Sequence, residues 1–311
     1  MNPTQFVASS SPHIRQKQSV STIMRDVALA LLPAALFGVF RFGLQSALVL
    51  LSSILGAVGT EWLANRLLKR PLSITDGSAV VTGLLLGMCC PPYAPVWMPF
   101  LGGAFAIAIV KIPFGGLGQN FLNPALTARA FLLASWPAYM TQWQPVDVVS
   151  SATPLVAYKA GQGASHADLF FGNVPGSIGE VCKWALLLGA AYLLVRHVIT
   201  WHTPTGFLVG LFVFVWMFGG PDGLFSGDGL YAILSGGALI GAFFMCNDYT
   251  TSPVTRKGQF VMGLGAGLLT GLIRTFGSYA EGVTYAILFM NVCTPLIDRF
   301  MRPRAFGEGK Q

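Results

Sequence analysis

Apolar runs separated by short polar joints dominate this chain of 311 residues. Ten stand out, at 27–42, 44–64, 78–92, 96–111, 123–137, 178–197, 205–220, 230–247, 259–275 and 282–299. A helix needs roughly 17–25 apolar residues to cross a bilayer, and several of these runs reach or approach that length. The pattern predicts an all-α polytopic membrane protein of ten transmembrane helices. The shorter runs stop at Pro91-Pro92 or begin near Pro124. Such interruptions predict broken or re-entrant helices, which are tolerated in a membrane where they line a site.

Two stretches recur. Val81-Thr82-Gly83-Leu84-Leu85-Leu86 resembles Leu239-Ile240-Gly241-Ala242-Phe243-Phe244, and Lys111 to Gly116 resembles Ile273 to Ser278. Five runs per half make the halves inverted with respect to each other. The expected division is a cytoplasmic segment 1–25, a five-helix repeat 26–137, an outer loop 138–177, a second five-helix repeat 178–299 and a cytoplasmic tail 300–311. Inverted repeats with broken helices place binding sites near the middle of the membrane. Gly263, Gly267 and Gly271 form a stripe on one helix face, suited to close helix contact in lipid.

Composition sharpens this picture. The chain is 53% hydrophobic and only 10% charged, against about 25% charged in soluble domains. The net charge of +7 reflects loops, since no dense Lys/Arg run suggests nucleic acid. With both termini inside and all ten runs crossing, fourteen Lys and Arg face the cytoplasm and four (Arg41, Lys159, Lys183 and Arg274) face outward, Arg129 lying within a run. That bias fits the positive-inside rule and puts the 138–177 loop outside. No cleavable signal peptide is apparent, so the first span is expected to stay and direct insertion. The five cysteines form no C-x-x-C pair, so an iron–sulfur site built by this chain is not expected.

Two motifs carry chemistry. Asp147-Val148-Val149-Ser150-Ser151-Ala152-Thr153 matches D-x-x-S-x-A-T, the signature at which a transferase esterifies FMN phosphate to a threonine. A threonine hydroxyl needs an enzyme to activate it, and small neighbours such as Ser151 let that enzyme approach. Phe114-Gly115-Gly116-Leu117-Gly118-Gln119-Asn120-Phe121-Leu122-Asn123-Pro124-Ala125 is the second. Its three glycines, Gly118 among them, do not suit an ordinary helix. Asn123 is a candidate N-cap with Pro124 in the first turn behind it. The amides of Asn120 and Asn123 offer donors and acceptors suited to the edge of a flat heterocycle. A purely structural, capped loop is the competing reading.

Together with Ser78 to Leu86, Pro91-Pro92 and Thr294-Pro295-Leu296-Ile297-Asp298, these motifs make the chain resemble, from about Ser10 to Phe306, the D subunit of the Rnf complex. That complex is the ion-translocating ferredoxin:NAD⁺ oxidoreductase. The chain is more distantly similar to the B subunit of the sodium-pumping NADH:quinone oxidoreductase. The resemblance implies an electron-transfer subunit of the bacterial inner membrane that is not catalytic alone. It implies FMN bound covalently to Thr153 through a phosphoester, and a second, non-covalent flavin, such as riboflavin, for which Asn120 and Asn123 are the matching residues. It also implies partners: the other Rnf-type subunits, especially the G subunit with its own covalent FMN, and a flavin transferase.

Acids within a membrane are functional candidates. Asp76, Asp248 and Asp298 stand at run ends on the cytoplasmic side and are candidates for an ion pathway, although Asp76 also suits a helix start and Asp298 a pairing with Arg299. Which ion moves is not legible in the sequence. A solute channel or transporter built from inverted repeats, or the quinone-reductase B-type subunit, remains the alternative. The flavinylation motif argues against a channel.

Overall fold

In the computed structural model, the structure describes residues 19–69, 73–143, 154–159, 161, 163–220, 223–277, 279 and 281–301. Helices α1 (Val20–Phe42) and α2 (Leu44–Leu67) are separated by Gly43 alone. Gly43 has φ 80°, a left-handed conformation that turns the chain and that a glycine adopts without strain. Then come α3 (Ser78–Met88), α4 (Trp97–Phe105) with a π-helical extension over Ala106–Lys111, and α5 (Pro124–Ser135). The second half holds α6 (Lys183–Val195), α7 (His202–Phe218), α8 (Ala238–Ile240) with a π extension over Gly241–Met245, α9 (Arg256–Phe276) and α10 (Val283–Phe300). Short helices at Pro154–Lys159, His166–Phe171 and Gly229–Leu234 lie in the connections. No strand occurs among the described residues.

Every apolar run contains a helix, with two adjustments. The run at 178–197 is helical only from Lys183, because Glu180 and its neighbours form a packed turn. The run at 230–247 is split at Ser235–Gly237, where Gly236 takes φ 57°. Among the described residues, three helices, α1, α2 and α9, are long and apolar enough to cross a membrane.

The arrangement of side chains is inside-out. On α2, Leu44, Leu48, Leu51 and Leu55 are exposed at helical spacing, while Ser46, Ser53, Gly56, Ala57 and Glu61 are buried. On α1, Leu29, Leu32, Leu36 and Phe40 are likewise exposed. In water such stripes would be a large unpaired apolar surface; in lipid they are the solvent-facing side. This is a multi-pass membrane protein.

Glycines set the closest helix contacts. A Cβ added at Gly56 would collide with the Phe100 carbonyl, and one at Gly103 with that of Ser53, so α2 and α4 meet backbone to backbone. In the same way Gly263 and Gly267 of α9 lie on the carbonyls of Thr203 and Phe207 of α7. Gly271, the third member of the stripe, faces the Phe214 ring instead. Helices approach this closely in membranes only where side chains are small.

Candidate functional site

The Phe114–Ala125 motif folds as an irregular loop leading into α5. Gly115, Gly116 and Gly118 all have positive φ, at 116°, 100° and 93°. Asn123 is the N-cap of α5: its Oδ1 accepts the Leu126 N–H at 3.2 Å, with Pro124 in the first turn. Its amide nitrogen donates to the Met245 carbonyl at 3.2 Å, at the end of the second π turn. From α10, Asn291 accepts the Asn123 N–H at 3.1 Å and donates to Ile287 O at 3.2 Å. Asn120 donates to Leu122 O at 3.0 Å and lies beside the Asp248 carboxylate.

These residues wall an inner cavity of about 90 Å³. Asn120, Asn123 and Asp248 all line it, joined by Lys111 from the first π turn, Thr82 from α3 and Phe243 from the second. Asp248 accepts hydrogen bonds from Thr250 Oγ1 at 3.1 Å and Thr251 Oγ1 at 3.4 Å. Burial pushes its carboxyl above the ordinary value, against those hydrogen bonds and that of Asn120, which pull it down. Gly118 is not in the wall; it shapes the loop that places Leu117 and Asn120 there. Asp76 is one step removed: it accepts from Ser78 N at 2.7 Å and Ser78 Oγ at 2.6 Å. Asp298 stands apart and accepts the Val254 N–H at 3.1 Å. Thr153 and Ser151 lie outside the described residues.

Sequence reasoning missed the acids that are most deeply buried. Glu61 pairs with Lys111 at 2.8 Å and accepts from Ser73 Oγ at 2.6 Å; Lys111 also donates to Ser78 Oγ at 2.6 Å. The chain Asp76–Ser78–Lys111–Glu61 thus reaches from a helix start into the wall of the inner cavity. A second cluster joins the two halves. Arg129 of α5 pairs with Glu281 and, at 3.4 Å, with Glu180, and donates to Thr284 Oγ1 at 3.2 Å. Lys183 donates to the carbonyls of Glu180 and Gly236. Arg274 donates to the carbonyls of Glu281, Ala232 and Ser235 at 2.9, 2.5 and 3.2 Å. The available signal was the isolated charges within or at the edge of apolar runs, such as Glu61, Lys111, Arg129 and Arg274, opposite in sign to charges in other runs.

A larger, outer cavity of about 740 Å³ opens beside this cluster. Tyr158 and Tyr231 stack in its wall with ring centroids 4.4 Å apart. His166 Nε2 lies 2.9 Å from Asp228 Oδ2, and Lys159 and Arg274 complete the polar lining. Tyr231 donates its hydroxyl to the carbonyl of Pro154 at 2.8 Å, the residue that follows Thr153 in the chain.

An inside-out helical chain with two cavities, each with buried charge in or beside its wall, is a membrane protein that keeps polar groups within its own core. The sequence profile of the NQR2, RnfD, RnfE family matches residues 7–307, and the chain belongs to that family. It is 48% identical over 97% of its length to the D subunit of the proton-translocating ferredoxin:NAD(+) oxidoreductase complex of Clostridium ljungdahlii, of which 96% is covered. It is 47% identical over its whole length to the Na(+)-translocating counterpart of Acetobacterium woodii, of which 98% is covered. The D subunit of the ion-translocating oxidoreductase complex of Cronobacter sakazakii is 38% identical over 97% of this chain and 99% of its own. Two relatives of nearly equal identity are thus named for different ions, so similarity assigns none here.

Proposed function

We propose that this chain is the membrane electron-transfer subunit of an ion-translocating ferredoxin:NAD⁺ oxidoreductase complex, with FMN esterified to Thr153. The full-length match to D subunits carries this reading. The D-x-x-S-x-A-T motif ends one residue before Pro154, whose carbonyl accepts a hydrogen bond from Tyr231 of the outer-cavity wall. The cavity's size falls within the roughly 300–1,000 Å³ of small-molecule sites, and its stacked tyrosines and cations suit an aromatic, phosphate-bearing group. Bound there, the flavin supplies one- and two-electron chemistry, while the chain orients it and shields it from water. The other Rnf-type subunits, the G subunit in particular, exchange electrons with it, and a flavin transferase attaches it. The test is in-gel fluorescence of the denatured full chain, made with the transferase: a fluorescent band supports the reading, and a dark one overturns it.

The second flavin is proposed for the inner cavity. The amides of Asn120 and Asn123 with Lys111 fit the polar edge of such a ring. At about 90 Å³ the cavity is smaller than the ~150 Å³ that admits benzene. Entry of a flavin therefore requires this wall to open, and Leu117 and Tyr249 are exposed members of it. Replacing Asn120 and Asn123 together with Leu should remove the non-covalent flavin from purified protein and leave the covalent one. Full retention of both flavins would make the asparagines structural only. An ion-path role is proposed for Asp248 and for Asp76 with its Lys111–Glu61 chain.

Ten crossings in two inverted repeats, in the inner membrane with both termini cytoplasmic, are also proposed. Three observations support this: the Lys/Arg bias, the paired glycine contacts of α2 with α4 and α7 with α9, and the shared place of Val81–Leu85 and Phe243–Phe244 in the inner cavity. Single cysteines at position 166, in the outer loop, and in the cytoplasmic tail should react with impermeant maleimide from opposite sides. Labelling of both from one side contradicts the topology.

A further inference from the structure

The second buried cluster does not balance its own charge. Arg129, Lys183 and Arg274 face two carboxylates, Glu180 and Glu281. All five groups are buried or nearly so. An excess positive charge in a membrane interior is costly unless an anion meets it. Arg129 engages both carboxylates, and Lys183 binds carbonyls behind them. Arg274 feels Glu281 at longer range but forms no ion pair with it among the described residues, and it is the member of the cluster that lines the outer cavity.

The guanidinium of Arg274 is also immobile. It is 4% exposed, and its three hydrogen bonds run to main-chain carbonyls, two of them at the C-terminal end of the short helix Gly229–Leu234. Those carbonyls hold the side chain in place, so that its positive charge is fixed in the cavity wall. The same cavity is lined by Lys159, which donates to Gly277 O at 3.3 Å, and by Asp228, which faces His166.

We propose that Arg274 sets the reduction potential of the ring held in the outer cavity, by stabilising the negative charge that an added electron brings. This rests on the covalent-flavin reading above. Each electron taken up without a proton makes the ring more negative by one charge. A fixed cation nearby, in surroundings of low dielectric, favours the reduced state and raises the potential. Capping the carbonyls of the short helix is the structural role that Arg274 also fills, and the test must separate the two.

The full chain, made with the flavin transferase and washed of non-covalent flavin, is titrated spectroelectrochemically. Arg274→Gln should keep its covalent flavin and shift the midpoint to a more negative value, whereas Arg274→Lys should stay near the parent. Thr275, half-buried in the same wall, provides a pair that leaves the carbonyl bonds intact. Thr275→Asp should lower the potential and Thr275→Lys should raise it. If Arg274→Gln does not fold, the Thr275 pair decides alone. A fluorescent chain whose midpoint is unmoved by Arg274→Gln, or is shifted the same way by both Thr275 variants, overturns the proposal. A parent chain with no covalent flavin overturns the reading beneath it instead.

Discussion

Thr153→Ala should give a chain that inserts normally and carries no covalent flavin at all. The threonine hydroxyl supplies the linking oxygen of a phosphoester, and alanine has no atom that can replace it. The effect is therefore all-or-none. Intact mass of the parent should exceed the sequence mass by one FMN less one water, and Thr153→Ala should match the sequence mass. Thr153→Ser retains a hydroxyl and should be partly modified. A fluorescent, mass-shifted Thr153→Ala chain would place the flavin elsewhere. In the proposed phosphate linkage the ring itself would stay unmodified, and its behaviour would be set by the cavity proposed to receive it.

The second large effect is on stability. Arg129→Met removes the cation that holds Glu180 and Glu281 together and leaves two buried carboxylates side by side. Breaking a buried pair in this way costs about 3–5 kcal/mol. The expected result is a sharp loss of monodisperse protein in detergent and a lower thermal midpoint. Adding Glu281→Gln removes one of the two facing carboxylates, returns the cluster to the parent's net charge and should restore part of the loss. An Arg129→Met chain as stable as the parent would mean that the cluster does not tie the halves together.

Helices were legible because membrane spans announce themselves locally. The run of apolar residues at 44–64 is enough to foresee α2, and Asn123-Pro124 is enough to foresee the start of α5. The glycine stripe of α9 also read correctly at Gly263 and Gly267, because small residues at helical spacing have few other uses in lipid. The break at Ser235–Gly237 was written in Gly236-Gly237, yet its apolar flanks made 230–247 look continuous. The convergence of Asn120 and Asn123 with Asp248 was only half legible: the asparagines share a motif, whereas Asp248 reaches them through the second π turn. Arg129 with Glu281 was not legible, since they are 152 residues apart and neither belongs to a periodic pattern. Long-range charge pairing leaves no local trace beyond the oddity of each charge in its own run.

The backbone-to-backbone seams between α2 and α4 and between α7 and α9 have a mechanical consequence. Where carbonyls rest on glycines there is no side chain between the two helices to rearrange, so each seam resists sliding and the pair moves largely as one stiff beam. Lys111 aside, at the tip of the π extension, the inner cavity takes no wall residue from either beam. Its walls come from α1, α3, α5, α6, the π turns and three irregular loops; among these helices α1 and α6 also meet backbone to backbone, Gly189 lying on the Ala30 carbonyl, as does α3 with α2 at Gly83. Any working stroke of this protein would therefore be concentrated in the loops and π turns of the cavity wall, with the glycine-seated helix pairs acting as the frame against which they bend.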